Sequence, residues 1–80
     1  MIAVTLYTKE DCHLCHEAKA VLVSVQTLKP FVLREVDITS DPALFAQFTE
    51  EIPVIFINGR KAFKYRVDRN ALITKLERER

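Results

Sequence analysis

Apolar runs and polar breaks follow one another in a regular order along the chain. Ile2-Ala3-Val4-Thr5-Leu6-Tyr7 is apolar and partly β-branched, which predicts a buried strand. Thr8 to Asp11 is polar and predicts a loop. From Cys12 the spacing turns helical. Leu14, Ala18, Val21, Leu22, Val25 and Leu28 fall on one face of a helix. Asp11 is placed to cap the start of that helix, and Lys29-Pro30 to end it.

Phe31 to Val36 predicts a second strand, and Asp37 to Ser40 a loop. Asp41-Pro42 pairs an N-cap residue with proline at the first helical position, opening a short helix that carries Leu44, Phe45 and Phe48. After Pro53 the unbroken run Val54-Ile55-Phe56-Ile57 suits a central strand covered on both faces. Asn58-Gly59 is the strongest short signal for a hairpin. It turns the chain into Lys61-Ala62-Phe63-Lys64-Tyr65, where alternation puts Phe63 and Tyr65 on one face and Ala62 and Lys64 on the other. The charges on this strand suit a sheet edge. Asp68 is placed to cap a last helix with Ala71, Leu72, Ile73 and Leu76.

The order is therefore β-α-β-α-β-β-α. An α/β fold is expected, with a four-stranded mixed sheet flanked by helices. Its first crossover is parallel and right-handed, and its last hairpin antiparallel.

Length and charge narrow the classes. Eighty residues make one domain, 1–80. A hydrophobic content of 49% supplies a core and argues against disorder. One glycine and three prolines leave no room for a flexible linker. A net charge of +1 gives no strong field for nucleic acid. The charge is uneven: residues 1–58 carry four Lys/Arg against eight Asp/Glu, and residues 59–80 eight against three. The basic end reads as a solvated edge strand and helix. No secretion signal or membrane-length apolar run is visible, so a cytoplasmic monomer without membrane or nucleic-acid partners is expected.

That compartment changes the reading of the two cysteines. Disulfides are rare there, so a close pair is more often catalytic or metal-binding than structural. Both lie in Cys12-His13-Leu14-Cys15-His16, with both histidines of the chain, at the junction of the first strand and helix. The first turn of a helix has unpaired N–H groups and a partial positive charge. A thiolate there is stabilised, and the thiolate is the form that attacks a disulfide. Cys15, one turn on, is within reach of Cys12.

Three rivals use the same residues. Cys12-His13-Leu14-Cys15-His16 also matches the C-x-x-C-H pattern of c-type haem attachment. The absent export signal, the strand pattern and a methionine only at position 1 oppose it. Two thiols and two imidazoles also suit zinc or an iron–sulfur cluster, but no second ligand group exists elsewhere, so sharing between chains would be needed. A binding module with incidental cysteines is the third, and the spacing opposes it. His13 and His16 read equally as solvated polar residues or, for protonated His13, as support for the thiolate.

The element order, with C-x-x-C opening the first helix and a proline just before the third strand, resembles the thioredoxin fold, and the size resembles its glutaredoxin branch. The likeness is carried by Tyr7-Thr8-Lys9 with Cys12-His13-Leu14-Cys15, by Val36-Asp37, and by Ile52-Pro53-Val54-Ile55-Phe56-Ile57-Asn58-Gly59. It implies thiol–disulfide exchange, with Cys12 attacking and Cys15 resolving. It implies that Pro53 is cis beside the cysteines, that the Ile52 backbone pairs with substrate, and that Lys9 faces the thiolate and a carboxylate of glutathione. Disulfide-containing proteins are the implied substrates. No resident cofactor or metal is implied, and glutathione or a thioredoxin-reductase-type donor is the implied source of electrons.

Two departures mark the chain. Glu51-Ile52-Pro53 stands where glutaredoxins usually have threonine–valine–proline. Phe63-Lys64 or Lys64-Tyr65 replaces a Gly-Gly step at which backbone approaches glutathione, and side chains there crowd the ligand. The chain is most similar to small glutaredoxin-like C-x-x-C proteins without the full glutathione signature.

Overall fold

The computed structural model describes residues 1–79. Strand β1 (Ala3–Thr8) is followed by helix α1 (His13–Gln26) and strand β2 (Val32–Asp37). A single 3-10 turn (Ile38–Ser40) leads into helix α2 (Pro42–Phe48). Strands β3 (Val54–Ile57) and β4 (Arg60–Lys64) form the hairpin, and helix α3 (Arg69–Arg78) closes the described chain.

The four strands make one sheet in the order β2-β1-β3-β4. β1 pairs with β2 in parallel, from Ala3 opposite Val32 to Thr8 opposite Asp37. β1 and β3 are antiparallel, so Tyr7 near the end of β1 lies opposite Val54 at the start of β3. That register brings two chain segments distant in sequence to the same end of the sheet. One is the loop from β1 into α1, and the other is the entry to β3.

Alternation along the strands divides the core in two. Val4, Leu6, Ile55 and Ile57 face α1 and α3, where they pack with Ala18, Leu22, Val25, Leu72 and Leu76. The opposite residues, Tyr7, Val54 and Phe56, face α2 and the 3-10 turn, where they meet Ile38 and Phe48. β1 and β3 are thus covered on both faces, as the apolar run of β3 requires.

Four local expectations are corrected. The helical pattern through Leu28 outruns the helix, which ends at Gln26 with Thr27 as C-cap. Leu28 is exposed, because the chain must turn back to begin β2 and Pro30 disfavours helix at Lys29. Phe45 is exposed, since a helix of two turns has one narrow buried face, which Leu44 and Phe48 occupy. Asp11 does not cap α1, and its φ of 56° places it in the left-handed region. In the hairpin a bulge between Ile55 and Phe56 shifts the register, pairing Ile55 with Phe63 and Phe56 with Lys61. Ala62 falls at the irregularity, so Ala62 and Phe63 both pack on the main core. Tyr65 lies past the end of β4 and shares no strand face with Phe63.

Candidate active site

α1 begins on Cys12 itself. Cys12 is extended, with φ −110° and ψ 103°, and takes the N-cap position. An N-cap side chain usually accepts from the N–H three residues on. Here the acceptor is sulfur: the Cys15 N–H donates to Cys12 Sγ at 3.2 Å. The left-handed turn at Asp11 aims Cys12 into the helix start. Sequence reasoning missed this because cysteine is absent from the usual capping residues, whereas the adjacent aspartate is among them.

The two cysteines differ in access. Cys12 is half-buried, while Cys15 is 4% exposed. Their sulfurs lie at disulfide-bonding distance and their Cα atoms are 5.2 Å apart. Beneath them Cys15 packs with Ile38, Phe48, Ile52 and Val54, and Cys12, Tyr7, Leu44 and Phe56 border the same cluster. The floor is aromatic. The Tyr7 ring lies 4.8 Å from that of Phe48 and 5.4 Å from that of Phe56. Such rings keep water from the inner thiol and leave the outer one reachable.

Lys9 is brought to the site on one side. It borders a cavity of about 380 Å³ together with Asp11, Cys15, His16, Lys19 and Asp37. Lys19 and Glu35 form an ion pair at 2.9 Å on its rim. Thr39 donates to the Asp37 carboxylate through its hydroxyl and its backbone N–H, which holds that carboxyl below its ordinary range. His13 places its Nε2 3.3 Å from Glu17 Oε2, and its side chain is almost fully exposed.

On the other side stands the entry to β3. The Ile52–Pro53 peptide bond is cis, and both residues are buried. Ile52 packs in the cluster that holds Cys15. Among the described residues, neither the N–H nor the C=O of Ile52 has a hydrogen-bond partner. Glu51 accepts from the Lys61 ammonium, and that bond, helped by the charges of Lys61 and Lys64, holds its carboxyl below the ordinary range. Glu51 is therefore a compensated charge. Asp68 caps α3, accepting from the Ala71 N–H at 2.8 Å.

Among the described residues, no three His, Cys, Asp or Glu side chains are grouped so as to hold a metal ion. Nor is any described helix long and apolar enough to cross a membrane.

A family model for the glutaredoxin-like domain (DUF836) matches residues 3–77. The chain belongs to this glutaredoxin-like family. It is similar to a glutaredoxin-like protein of Dictyostelium discoideum, 30% identical over 82 residues that cover 95% of this chain and 76% of the relative. Among solved structures, a structural-genomics target from X. campestris is 29% identical with a TM-score of 0.79, covering 92% of this chain and 95% of that one. A protein of Nitrosomonas europaea is 25% identical with a TM-score of 0.81, covering 92% and 89%. A mutant thioredoxin of Halobacterium salinarum, 18% identical with a TM-score of 0.67 over 95% and 72%, shares the fold. This glutaredoxin-like protein therefore has a thioredoxin-like fold, with its cysteine pair at disulfide distance where the first strand meets the first helix.

Proposed function

We propose that the protein is a thiol–disulfide oxidoreductase acting on disulfide-containing proteins. The observation that carries this reading is the N-cap position of Cys12, whose sulfur accepts a backbone N–H while Cys15 stays buried behind it. A sulfur that accepts an N–H at a helix start is favoured as thiolate.

The exchange proceeds in two displacements. The Cys12 thiolate attacks one sulfur of the substrate disulfide. A Cys12–substrate disulfide forms, the substrate S–S bond breaks, and the departing thiolate takes a proton from solvent. Cys15 then loses its proton and attacks Cys12 Sγ, forming the Cys12–Cys15 disulfide and releasing the second substrate thiolate. The protein is oxidised by two electrons and the substrate reduced by two. A dithiol donor of the thioredoxin-reductase type returns the electrons in our reading, with glutathione a poorer source. In support, Lys64 at the end of β4 and Tyr65 just past it put side chains beside the entry to β3. The unpaired Ile52 backbone next to the cysteines suits an extended substrate segment, and Lys9 suits a carboxylate near the thiolate.

The assignment of the attacking thiol is tested by labelling reduced protein with limiting iodoacetamide at mildly acidic pH. Cys12 is expected to carry most of the label. Equal or faster labelling of Cys15 would overturn the assignment. A Cys15→Ser variant should accumulate mixed disulfides in cell extract, and a Cys12→Ser variant should not.

A further inference from the structure

Among the described residues, three other than glycine have positive φ: Asp11 at 56°, Asn58 at 49° and Tyr65 at 69°. Aspartate and asparagine tolerate this region because their short polar side chains bond locally. A tyrosine does not share that excuse, and strained backbone of this kind gathers at functional sites.

Tyr65 uses the conformation to make two bonds to one short segment. Its backbone N–H donates to the Pro53 C=O at 2.8 Å. Its hydroxyl donates to the Glu50 C=O at 3.0 Å. These bonds bracket Glu51-Ile52. Glu51 is held in turn by its carboxylate bond from Lys61 and by its N–H bond to the Phe48 C=O. Every residue of the segment is thus tied except the backbone of Ile52, whose side chain is buried against Cys15. A residue free to turn at Tyr65 would keep the bond to Pro53. The bond to the Glu50 C=O depends on the tyrosine hydroxyl alone.

We propose that Tyr65 is a positioning residue for extended peptide substrates, a strap that holds the Ile52 N–H and C=O beside the Cys12–Cys15 pair. The proposal rests on the reading of that pair as a disulfide-exchange site. A peptide flanking a disulfide adds its backbone to Ile52 as a short strand would, and its sulfur is then presented to Cys12. A small disulfide without peptide groups gains nothing from the strap.

The test compares insulin, a disulfide-linked polypeptide, with hydroxyethyl disulfide, which has no backbone amide, using wild type, Tyr65→Phe and Tyr65→Gly. Tyr65→Phe removes only the hydroxyl. Its kcat/KM for insulin is expected to fall about fivefold, the effect of one neutral hydrogen bond, with hydroxyethyl disulfide reduction and the alkylation rate of Cys12 unchanged. Tyr65→Gly, which adopts the left-handed region freely, should show the same selective loss. If either variant slows both substrates alike, or if neither slows insulin, the strap is wrong although the exchange reading stands. If the wild type reduces neither substrate, the exchange reading fails and the strap with it.

Discussion

At the scale of single residues, Cys12 and Glu51 each gain their character from one hydrogen bond. Cys12 receives the Cys15 N–H, and Glu51 receives the Lys61 ammonium. For Glu51 the direction of the pKa gives a pH test. Its folded value lies below the ordinary value of 4.5, chiefly through the bond from Lys61. A depressed carboxylate contributes stability that is present above the unfolded pKa and is lost as pH falls through the folded one. Glu51→Gln is therefore expected to be less stable than wild type at neutral pH. That difference should shrink in urea melts taken at about pH 3, where model carboxylates are mostly protonated. A difference that stays constant across that range would show that the ion pair contributes nothing. Because Glu51 is partly exposed, the effect should also weaken in high salt.

At the scale of elements, the ends of the helices decide where the chain goes. α3 sets Leu72 and Leu76 into the main core, and its start depends on Asp68, whose carboxylate accepts from the Ala71 N–H. Asp68→Ala should cost about 1 kcal/mol, lowering the melting temperature by roughly 4–8 °C for a domain of this size. Thermal denaturation followed by circular dichroism checks this, and an unchanged midpoint would mean the cap is replaced by water. The helices were legible because α1, α2 and α3 each carry a buried stripe at helical spacing and Pro42 opens α2. The hairpin was legible from Asn58-Gly59. Its turn is built from Asn58 at φ 49° and Gly59 at 82°, and Asn58 Oδ1 also accepts from the Ala3 N–H at 2.9 Å. The bulge at Ala62 was not legible, since strict alternation along β4 reads as regular strand.

At the scale of the whole molecule, the antiparallel register of β1 with β3 assembles the site. It puts Ile52 into the cluster that holds Cys15, some forty residues earlier in the chain. The source of electrons is tested on this whole assembly. Steady-state reduction of one protein disulfide is measured with glutathione plus its reductase and, separately, with thioredoxin reductase or a dithiol. Turnover is expected to be faster with the reductase or dithiol, and to be lost in Cys15→Ser. Equal turnover with glutathione, retained by Cys15→Ser, would make the monothiol glutathione mechanism correct. Lys61 neutralises the charge of Glu51, so it is the bulk of Lys64 and Tyr65 that disfavours glutathione.

The sequence by itself determined what depends on neighbours in the chain. Periodicity placed three helices and four strands, because a buried face must repeat at the pitch of its element. The spacing of Cys12 and Cys15 put one thiol at a helix start and the other a turn inside. Tertiary structure decided what depends on residues distant in sequence. It buried Cys15 under Ile52 and the Tyr7, Phe48 and Phe56 rings, paired Glu51 with Lys61, and laid Tyr65 across Glu50 to Pro53. Each of these contacts depends on how the strands register, and a shift of one residue would turn the same side chains to the opposite face.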